Sequence, residues 1–171
     1  MRGTNLPAPD RETDMALKVG DKAPAFSLKT DGGGKVSLSG LKGQNVVLYF
    51  YPKDDTSGCT AEACAFRDNL PKIGKLDAVV IGVSRDSAES HDKFKTKHKL
   101  NFALGADETG KVTEDYGVWV EKSMYGKKYM GIERATYLID GKGKIAAIWR
   151  KVKVNGHAED VLKAVKALDA G

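Results

Sequence analysis

The sequence predicts an α/β protein in which helices flank a mixed central sheet. Two continuous apolar runs, 46–51 and 78–84, are each followed by a segment of helical character. Such runs are typical of strands that are buried on both faces of a parallel sheet. Later in the chain, strand-like segments at 134–140 and 144–149 flank Gly141-Lys142-Gly143, which is a hairpin signal. A β-α-β-α order followed by a hairpin and a last helix therefore indicates a mixed sheet covered on both sides.

The N-terminal half is predicted to open with a β-hairpin. Segments 25–28 and 35–38 flank the turn residues Asp31-Gly32-Gly33-Gly34. The buried strand 46–51 follows. A helix is predicted from about residue 59 to residue 76, because Phe66, Leu70 and Ile73 recur at helical spacing.

The second half continues the alternation. Strand 78–84 is followed by a polar helix, 87–98, for which Asp86 or Ser87 is the candidate cap. A short strand at 102–104, a short helix at 111–116 and the hairpin come next. The last helix is predicted over 157–168, with its apolar residues on one face.

Composition indicates one folded domain, residues 17–171, after a flexible N-terminal extension, residues 1–16. The chain has 171 residues, of which 41% are hydrophobic and 30% charged, so it has enough apolar material for a full core. The net charge is +5, but the lysines alternate with acids and form no stripe that carries aromatic residues. We therefore expect no nucleic-acid binding. We also expect no membrane span, because no run approaches the roughly 20 apolar residues that one needs.

The N-terminal extension has no apolar core of the kind that a secretory signal needs, and its acids argue against a transit peptide. We therefore expect a cytoplasmic protein. In that reducing compartment, two cysteines in 171 residues indicate catalysis, redox chemistry or metal binding before they indicate a structural disulfide.

Cys59 and Cys64 are the only cysteines in the chain. By residue type alone, Cys59 would be assigned as a small buried hydrophobe. Its position favours a nucleophile, because it falls where a strand gives way to a helix, and the helix dipole stabilises a thiolate there. Gly58 leaves the nearby backbone little screened, Thr56 offers a hydroxyl, and Pro52 restricts the chain as it leaves the strand.

The spacing of the two cysteines constrains their pairing. Five residues along an α-helix give a rotation of about 140° and place the two Cα atoms roughly 8–9 Å apart. A disulfide rarely tolerates more than about 7 Å. The two sulfurs can therefore bond only if the helix partly unwinds. A zinc site is disfavoured, because too few ligands are visible at suitable spacing.

The segment Pro52-x-x-x-Thr56-x-x-Cys59 resembles the active-site motif of the peroxiredoxins. The longer run from Tyr51 to Cys64, together with Gly117-Val118-Trp119 and the 134–140 strand, resembles the peroxiredoxin Q, or bacterioferritin comigratory protein, subfamily. The resemblance covers about residues 17–168. Ser57 departs from the pattern, since proline is frequent there. The element order, with a cysteine after the first core strand, also matches a thioredoxin-like fold.

The resemblance implies a thiol-dependent peroxidase that reduces hydrogen peroxide and organic hydroperoxides without metal or other cofactor. Cys59 would be the peroxidatic residue, oxidised to a sulfenic acid, and Cys64 the resolving residue that forms an intramolecular disulfide with it. A thioredoxin or glutaredoxin would restore both thiols. The subfamily is often monomeric, and we expect a monomer.

The resemblance also implies roles for two further residues and a substrate pocket. Thr56 matches a threonine that hydrogen-bonds the cysteine and the peroxide, and Arg134 matches an arginine beside the thiolate, while Pro52 and Gly58 would contribute to the substrate pocket. A guanidinium favours the anionic form of a thiol, and donors aimed at the peroxide polarise its O–O bond. Without the resemblance, Arg134 would be assigned to an exposed strand position.

The remaining polar and aromatic candidates receive structural interpretations. His91 and His98 lie on a polar helix, where we expect them to be solvated, and no cysteine–histidine pair is expected, including at His157. Asp54 and Asp55 are interpreted as a polar turn, because acids beside the site would oppose a thiolate. Two interpretations, substrate entrance or packing, stay open for a set of large side chains: Trp119, Met124, Tyr125 and Tyr129.

Two other functions remain alternatives at this point. One is a thiol–disulfide relay, although that chemistry favours a Cys-x-x-Cys spacing. The other is a peroxide sensor, for which a helix that unwinds on oxidation would serve equally well.

Overall fold

The computed structural model describes residues 16–170. The predicted flexible extension lies outside these residues except for Ala16, so it stays a prediction. Two single-turn 3₁₀ segments, Asp31–Gly33 and Ser39–Leu41, accompany the main elements. The strands and α-helices, in chain order, are β1 (Ser27–Thr30), β2 (Lys35–Ser37), β3 (Asn45–Phe50), α1 (Ser57–Gly74), β4 (Ala78–Ser84), α2 (Ala88–His98), β5 (Ala103–Ala106), α3 (Lys111–Asp115), β6 (Trp119–Met124), β7 (Lys127–Ile132), β8 (Ala135–Ile139), β9 (Ile145–Trp149) and α4 (His157–Ala170).

Seven strands form one mixed sheet in the order β2-β1-β5-β4-β3-β8-β9. The central strands β3, β4 and β5 are parallel, as the β-α-β connections require. The hairpins β1–β2 and β8–β9 extend the sheet antiparallel at its two edges. The predicted α/β class, the mixed sheet and the N-terminal hairpin are confirmed.

Strand β3 is the middle of the core. Its residues from Val46 to Phe50 are at most 1% exposed, and alternate side chains point to opposite faces of the sheet. Val47 and Tyr49 join the cluster that contains residues of α1 and α4. Leu48 and Phe50 join a second cluster with Tyr116 and Tyr137 on the other face. The continuous apolar pattern of β3 is explained by this two-sided burial.

Helix α1 begins at Ser57, two residues earlier than predicted, with Thr56 at the N-cap position. It also contains Pro71, which lacks the N–H that would bond the carbonyl of Arg67. That carbonyl instead accepts a hydrogen bond from Nδ2 of Asn101, at 3.2 Å. The helix therefore passes through a proline without leaving this carbonyl unpaired.

Helix α2 confirms the predicted capping, because the side chain of Ser87 accepts a hydrogen bond from the backbone N–H of Ser90 at 3.1 Å. Helix α4 confirms the predicted last helix and packs against α1 on one face of the sheet. Among residues 16–170, no helix is both long enough and apolar enough to cross a membrane.

The hairpin β6–β7 was not predicted. Its two strands form a separate two-stranded sheet, joined by Tyr125 (φ +53°) and Gly126 (φ +79°), the positive-φ pair that a tight hairpin turn uses. Trp119 packs at its base, with the guanidinium carbon of Arg85 3.3 Å from the centre of its ring. Met124 and Tyr129 are exposed. Because apolar side chains on this hairpin point into solvent, its sequence lacks the alternation that marks a half-buried strand.

A close approach between β3 and β4 gives a test of the core. A Cβ added at Gly82 would lie 2.8–2.9 Å from ring atoms of Tyr49, the residue opposite it in the sheet. We expect Gly82→Ala to displace that ring from its stack on Phe66 and to lower the free energy of unfolding by about 1–3 kcal/mol. Denaturant titration measures this loss.

The matched control is Gly74→Ala, at the end of α1, where an added Cβ meets nothing within 4 Å. That variant should be as stable as the wild type or slightly more stable. Equal unfolding free energies for the two variants would contradict the packing argument.

Candidate active site

Cys59 is the third residue of α1, just beyond the loop that leaves the carboxyl end of β3. It is 1% exposed. Thr56 makes no side-chain cap on the helix, since its hydroxyl donates to the carbonyl of Lys53 at 3.0 Å. The first N–H groups of α1 therefore keep neither an intrahelical acceptor nor a side-chain cap, and they favour an anion at Cys59.

Arg134 lies against the sulfur of Cys59. It immediately precedes β8, and the antiparallel pairing of Phe50 with Ala135 brings the start of β8 to the end of β3. Its Nη2 atom is 3.5 Å from Sγ of Cys59. The fold thus brings together two residues that are 75 positions apart in the sequence.

Gly58 makes this contact possible. A Cβ at position 58 would stand 3.1 Å from Nη2 of Arg134, closer than ordinary van der Waals contact allows. A side chain there would force the guanidinium to shift by a few tenths of an ångström. Pro52 lies further back in the same loop and is half-buried.

Thr56 does not direct its hydroxyl group at Cys59, although the sequence predicted that it would. It is exposed, and its hydroxyl hydrogen is directed to Lys53 and not to the sulfur of Cys59. The oxygen of Thr56 is therefore arranged as an acceptor in this structure. The role of Thr56 in binding the cysteine or a peroxide stays a prediction.

Cys64 lies in the same continuous helix as Cys59, and both cysteines are free thiols. Cys59 is buried, whereas Cys64 is half-buried. By helix geometry their Cα atoms are roughly 8–9 Å apart. The arrangement holds the two thiols out of bonding distance as long as the first turns of α1 are intact.

Glu62 is a site residue to which sequence reasoning gave no role. It is 1% exposed, and its Oε1 accepts a hydrogen bond from Nη1 of Arg134 at 2.7 Å. Its Oε2 is buried with no hydrogen-bond partner. Burial raises the pKa of Glu62 to about 7, because it outweighs the opposing effect of the Arg134 charge. The three-residue spacing from Cys59, which puts both on one helix face, was the available signal.

Lys122 is a second cation near the site, and the unpredicted hairpin brings it there. Its stem runs across Gly131, where an added Cβ would lie 3.1 Å from Cδ of the lysine. The pKa of Lys122 is lowered overall. Burial is the main cause and the charge of Arg134 adds to it, while the charge of Cys59 acts in the opposite direction. No motif in the sequence pointed to this residue.

The expectation that His91 is solvated is wrong. His91 is 0% exposed and its ring contacts Oδ2 of Asp54 at 2.7 Å and the carbonyl oxygen of Gly105 at 2.9 Å. The polar appearance of α2 concealed one inward-facing histidine, because its partners come from elements distant in sequence. Asp54 is likewise buried and does more than form a polar turn.

The other two histidines differ from each other. Nε2 of His98 is 2.9 Å from Oδ1 of Asp55, at a partly exposed position. His157 is buried, with Nε2 2.7 Å from Oγ1 of Thr136, and burial lowers its pKa. Within residues 16–170, no histidine nitrogen hydrogen-bonds either sulfur.

Residues 19–148 match the sequence profile of the AhpC/TSA family. The chain belongs to this family. It is 54% identical to a putative peroxiredoxin bcp of Coxiella burnetii over 148 residues, which is 86% of this chain and 98% of that protein. It is 53% identical to peroxiredoxin Bcp of Bacillus subtilis over 152 residues, 89% of this chain and 97% of that one.

Solved structures of similar proteins agree. The bacterioferritin comigratory protein of Xanthomonas campestris, described for its alkyl peroxide reduction activity, superposes with a TM-score of 0.81 at 44% identity, covering 84% of this chain and 92% of that chain. A mutant of Xylella fastidiosa PrxQ gives a TM-score of 0.84 at 41% identity, covering 88% and 96%. The resemblance to the peroxiredoxin Q subfamily and the thioredoxin-like fold are confirmed. The chain is a peroxiredoxin, a thiol peroxidase.

The buried carboxyl group of Glu62 generates a test through pH. Its pKa is raised from 4.5 to about 7, so the folded protein holds this proton when the unfolded chain has lost it, and stability falls as pH rises between these values. Glu62→Gln removes that loss. Between pH 4.5 and pH 7, the free energy of unfolding of the variant should rise by roughly 2–4 kcal/mol relative to that of the wild type.

The measurement is denaturant unfolding of the reduced proteins across this pH range. Glu108→Gln, an exposed carboxyl on the β5–α3 turn, is the control and should follow the wild type. A difference between Glu62→Gln and the wild type that does not change with pH would show that Glu62 titrates normally.

Proposed function

We propose that this peroxiredoxin reduces hydrogen peroxide and organic hydroperoxides through Cys59, with Cys64 as the resolving thiol. The observation that carries the proposal is the contact between Nη2 of Arg134 and Sγ of Cys59, at 3.5 Å, at the open N-terminus of α1. The alkyl peroxide reduction described for the X. campestris protein supports the organic substrates.

In the first step, the thiolate of Cys59 attacks one oxygen of the peroxide. A sulfur–oxygen bond forms and the O–O bond breaks, and because the attacked oxygen keeps its hydrogen, Cys59 becomes a sulfenic acid. The other oxygen takes up one proton and departs as water or an alcohol. Negative charge spreads over both oxygens in the transition state, where Arg134 and the backbone N–H of Cys59 stabilise it.

In the second step, the sulfur of Cys64 attacks the sulfur of the Cys59 sulfenic acid. A disulfide forms and the hydroxyl of the sulfenic acid leaves as water with the proton of the second thiol. The first turns of α1 must unwind for this, because the intact helix holds the two Cα atoms roughly 8–9 Å apart. The half-buried position of Cys64 is compatible with such an opening.

In the last step, a dithiol protein reduces the disulfide by thiol–disulfide exchange. We propose thioredoxin or glutaredoxin as this reductant, and the cytoplasm as the compartment, since a reducing environment keeps both cysteines as thiols. We also propose that the enzyme acts as a monomer, as members of the peroxiredoxin Q subfamily often do. Pro52, Thr56 and Gly58 are proposed to line the peroxide pocket with Arg134.

The two cysteine variants test the division of labour. Cys59→Ser should abolish peroxide turnover with a thioredoxin system, because no other described thiol contacts Arg134. Cys64→Ser should consume one equivalent of peroxide in a single-turnover assay and then stall until a small thiol is added.

A Cys59→Ser enzyme with wild-type turnover would overturn the assignment. A wild type that is oxidised once but never recycled by any dithiol reductant would instead favour a peroxide sensor. A protein that reduces disulfides and leaves peroxide untouched would favour a thiol–disulfide relay.

Arg134 is tested by a change that keeps its charge. A lysine keeps the charge but offers one ammonium nitrogen in place of the two guanidinium nitrogens that contact Glu62 and Cys59 here. We expect Arg134→Lys to slow the oxidation of Cys59 by roughly 100-fold, the usual cost of losing one transition-state donor. Stopped-flow measurement of the first oxidation gives this rate constant.

Arg150→Lys is the matched control, because Arg150 bonds Glu133 and the carbonyl of Gly117 and contacts neither cysteine. It should oxidise at the wild-type rate. Equal slowing in both variants would mean that the effect of Arg134→Lys is not specific to the site.

A further inference from the structure

Asp54 and His91 form a buried pair next to the active site that the mechanism above does not use. Asp54 lies in the loop that links β3 to α1, and His91 lies in the first turns of α2. Their side chains are 5% and 0% exposed, and Nδ1 of His91 is 2.7 Å from Oδ2 of Asp54. A carboxyl and an imidazole enclosed in this way are costly unless their charges and hydrogen bonds are matched.

The hydrogen-bond partners dictate the proton count of the pair. The carbonyl oxygen of Gly105 can only accept, so Nε2 of His91, 2.9 Å away, carries a hydrogen. The contact between Nδ1 and Asp54 then needs one more proton, held by the imidazolium or by the carboxyl group. In either case the pair has no net charge, and removing that proton would leave a buried carboxylate against a nitrogen lone pair.

The carboxyl group of Asp54 accepts hydrogen bonds from two further donors. The hydroxyl of Tyr51 donates to Oδ1 at 2.5 Å, and the hydroxyl of Ser90 donates to Oδ2 at 2.7 Å. Burial lowers the pKa of His91, but the hydrogen bond and charge of Asp54 outweigh it, so the net direction is upward. The geometry and the charge balance therefore agree on a protonated His91.

The other charged group that acts on the pair is Asp86, in the turn between β4 and α2. It accepts hydrogen bonds from the backbone N–H of Asp54 at 2.8 Å and from the hydroxyl of Ser84 at 2.7 Å. Its negative charge also raises the pKa of His91. On the next turn of α2, Lys95 is directed away to Asp31, at 2.7 Å.

The same loop is tied to α2 a second time. Asp55 follows with φ +59°, a conformation that an aspartate adopts at some cost. Its carboxylate contacts Lys97 and His98 of α2 at 2.8 and 2.9 Å. Two successive loop residues are therefore held by α2, and Thr56 and the first turn of α1 follow directly.

We propose that Asp54 and His91 are positioning residues for the peroxidase reaction. They share one proton across their buried contact and so hold the 52–56 loop, with Thr56 and the first turn of α1, in the geometry in which Cys59 reacts. The proposal rests on the proposed function of Cys59. Loss of the shared proton at high pH frees the loop, because stability that comes from a protonated histidine is lost as pH rises through its folded pKa.

Asp54→Asn is the most informative variant. Its amide can donate to Nδ1 of a neutral His91 and still accept from Tyr51, so it keeps the shape of the pair and removes the shared proton. His91→Gln is the complementary variant and leaves Asp54 without its cation. Thr96→Ala, exposed on the same helix, is the control.

Two measurements are made on the reduced full-length proteins. Nitrogen-15 spectra of the imidazole groups at pH 8 should show hydrogens on both ring nitrogens of His91 in the wild type, and on Nε2 alone in Asp54→Asn. The rate constant for oxidation of Cys59 by hydrogen peroxide, followed from pH 6 to pH 10, should fall at the alkaline end in the wild type and in Thr96→Ala. In Asp54→Asn that alkaline fall should be missing, and the rate should be lower by roughly 10- to 100-fold, the cost of a small displacement of reacting groups.

The possible results distinguish a failure of the Asp54–His91 proposal from a failure of the proposed peroxidase function of Cys59. A neutral His91 in the wild type at pH 8 would overturn the shared proton. A reactive wild type that is matched by Asp54→Asn in rate and pH profile would overturn the positioning role alone. A wild-type enzyme whose Cys59 is inert toward peroxide would overturn the proposed function, while the nitrogen-15 spectra would still decide the state of the pair. If His91→Gln does not fold, Asp54→Asn decides the question, since its amide can keep the contacts with both His91 and Tyr51.

Discussion

The contact between Arg134 and Cys59 is the interaction on which the site depends. It exists only because β8 pairs antiparallel with β3 in a register that sets Ala135 opposite Phe50. A slip of one residue would turn every β8 side chain to the opposite face of the sheet and take the guanidinium away from the sulfur. The buried side chains on both faces of β3 and β8 make that slip unfavourable, so the packing of the core specifies the chemistry at its edge.

Acidic groups surround this site, and the structure shows how each is kept from opposing a thiolate. Glu62 is bonded to Arg134 and has a pKa of about 7, so near neutral pH it is partly protonated. Asp54 is turned toward His91, and Asp55 toward Lys97 and His98 of α2. The expectation that acids beside Cys59 would be unfavourable was physically sound. The fold avoids this unfavourable interaction because each carboxyl group is bonded to a partner of its own.

Helix α1 serves two opposed requirements. Its intact first turn presents free N–H groups to Cys59, whereas pairing of Cys59 with Cys64 requires that turn to open. Cys59, Glu62 and Ala63 are at most 1% exposed, so opening the start of α1 must expose buried side chains. The reaction at Cys59 and its pairing with Cys64 therefore make opposite demands on the same packed turn.

The sequence by itself determined the α/β class, the buried strands β3 and β4, both edge hairpins and the position of Cys59 at the start of a helix, because hydrophobic periodicity and turn residues act locally. The motif around Cys59 also indicated the family, and with it Arg134. The tertiary structure alone decided the partners of Glu62, the burial of His91, the hairpin β6–β7 and the arrival of Lys122 near the site. Each of these depends on contacts between residues far apart in the chain or, for the hairpin, on apolar side chains left in solvent, and no local pattern of polarity records such contacts.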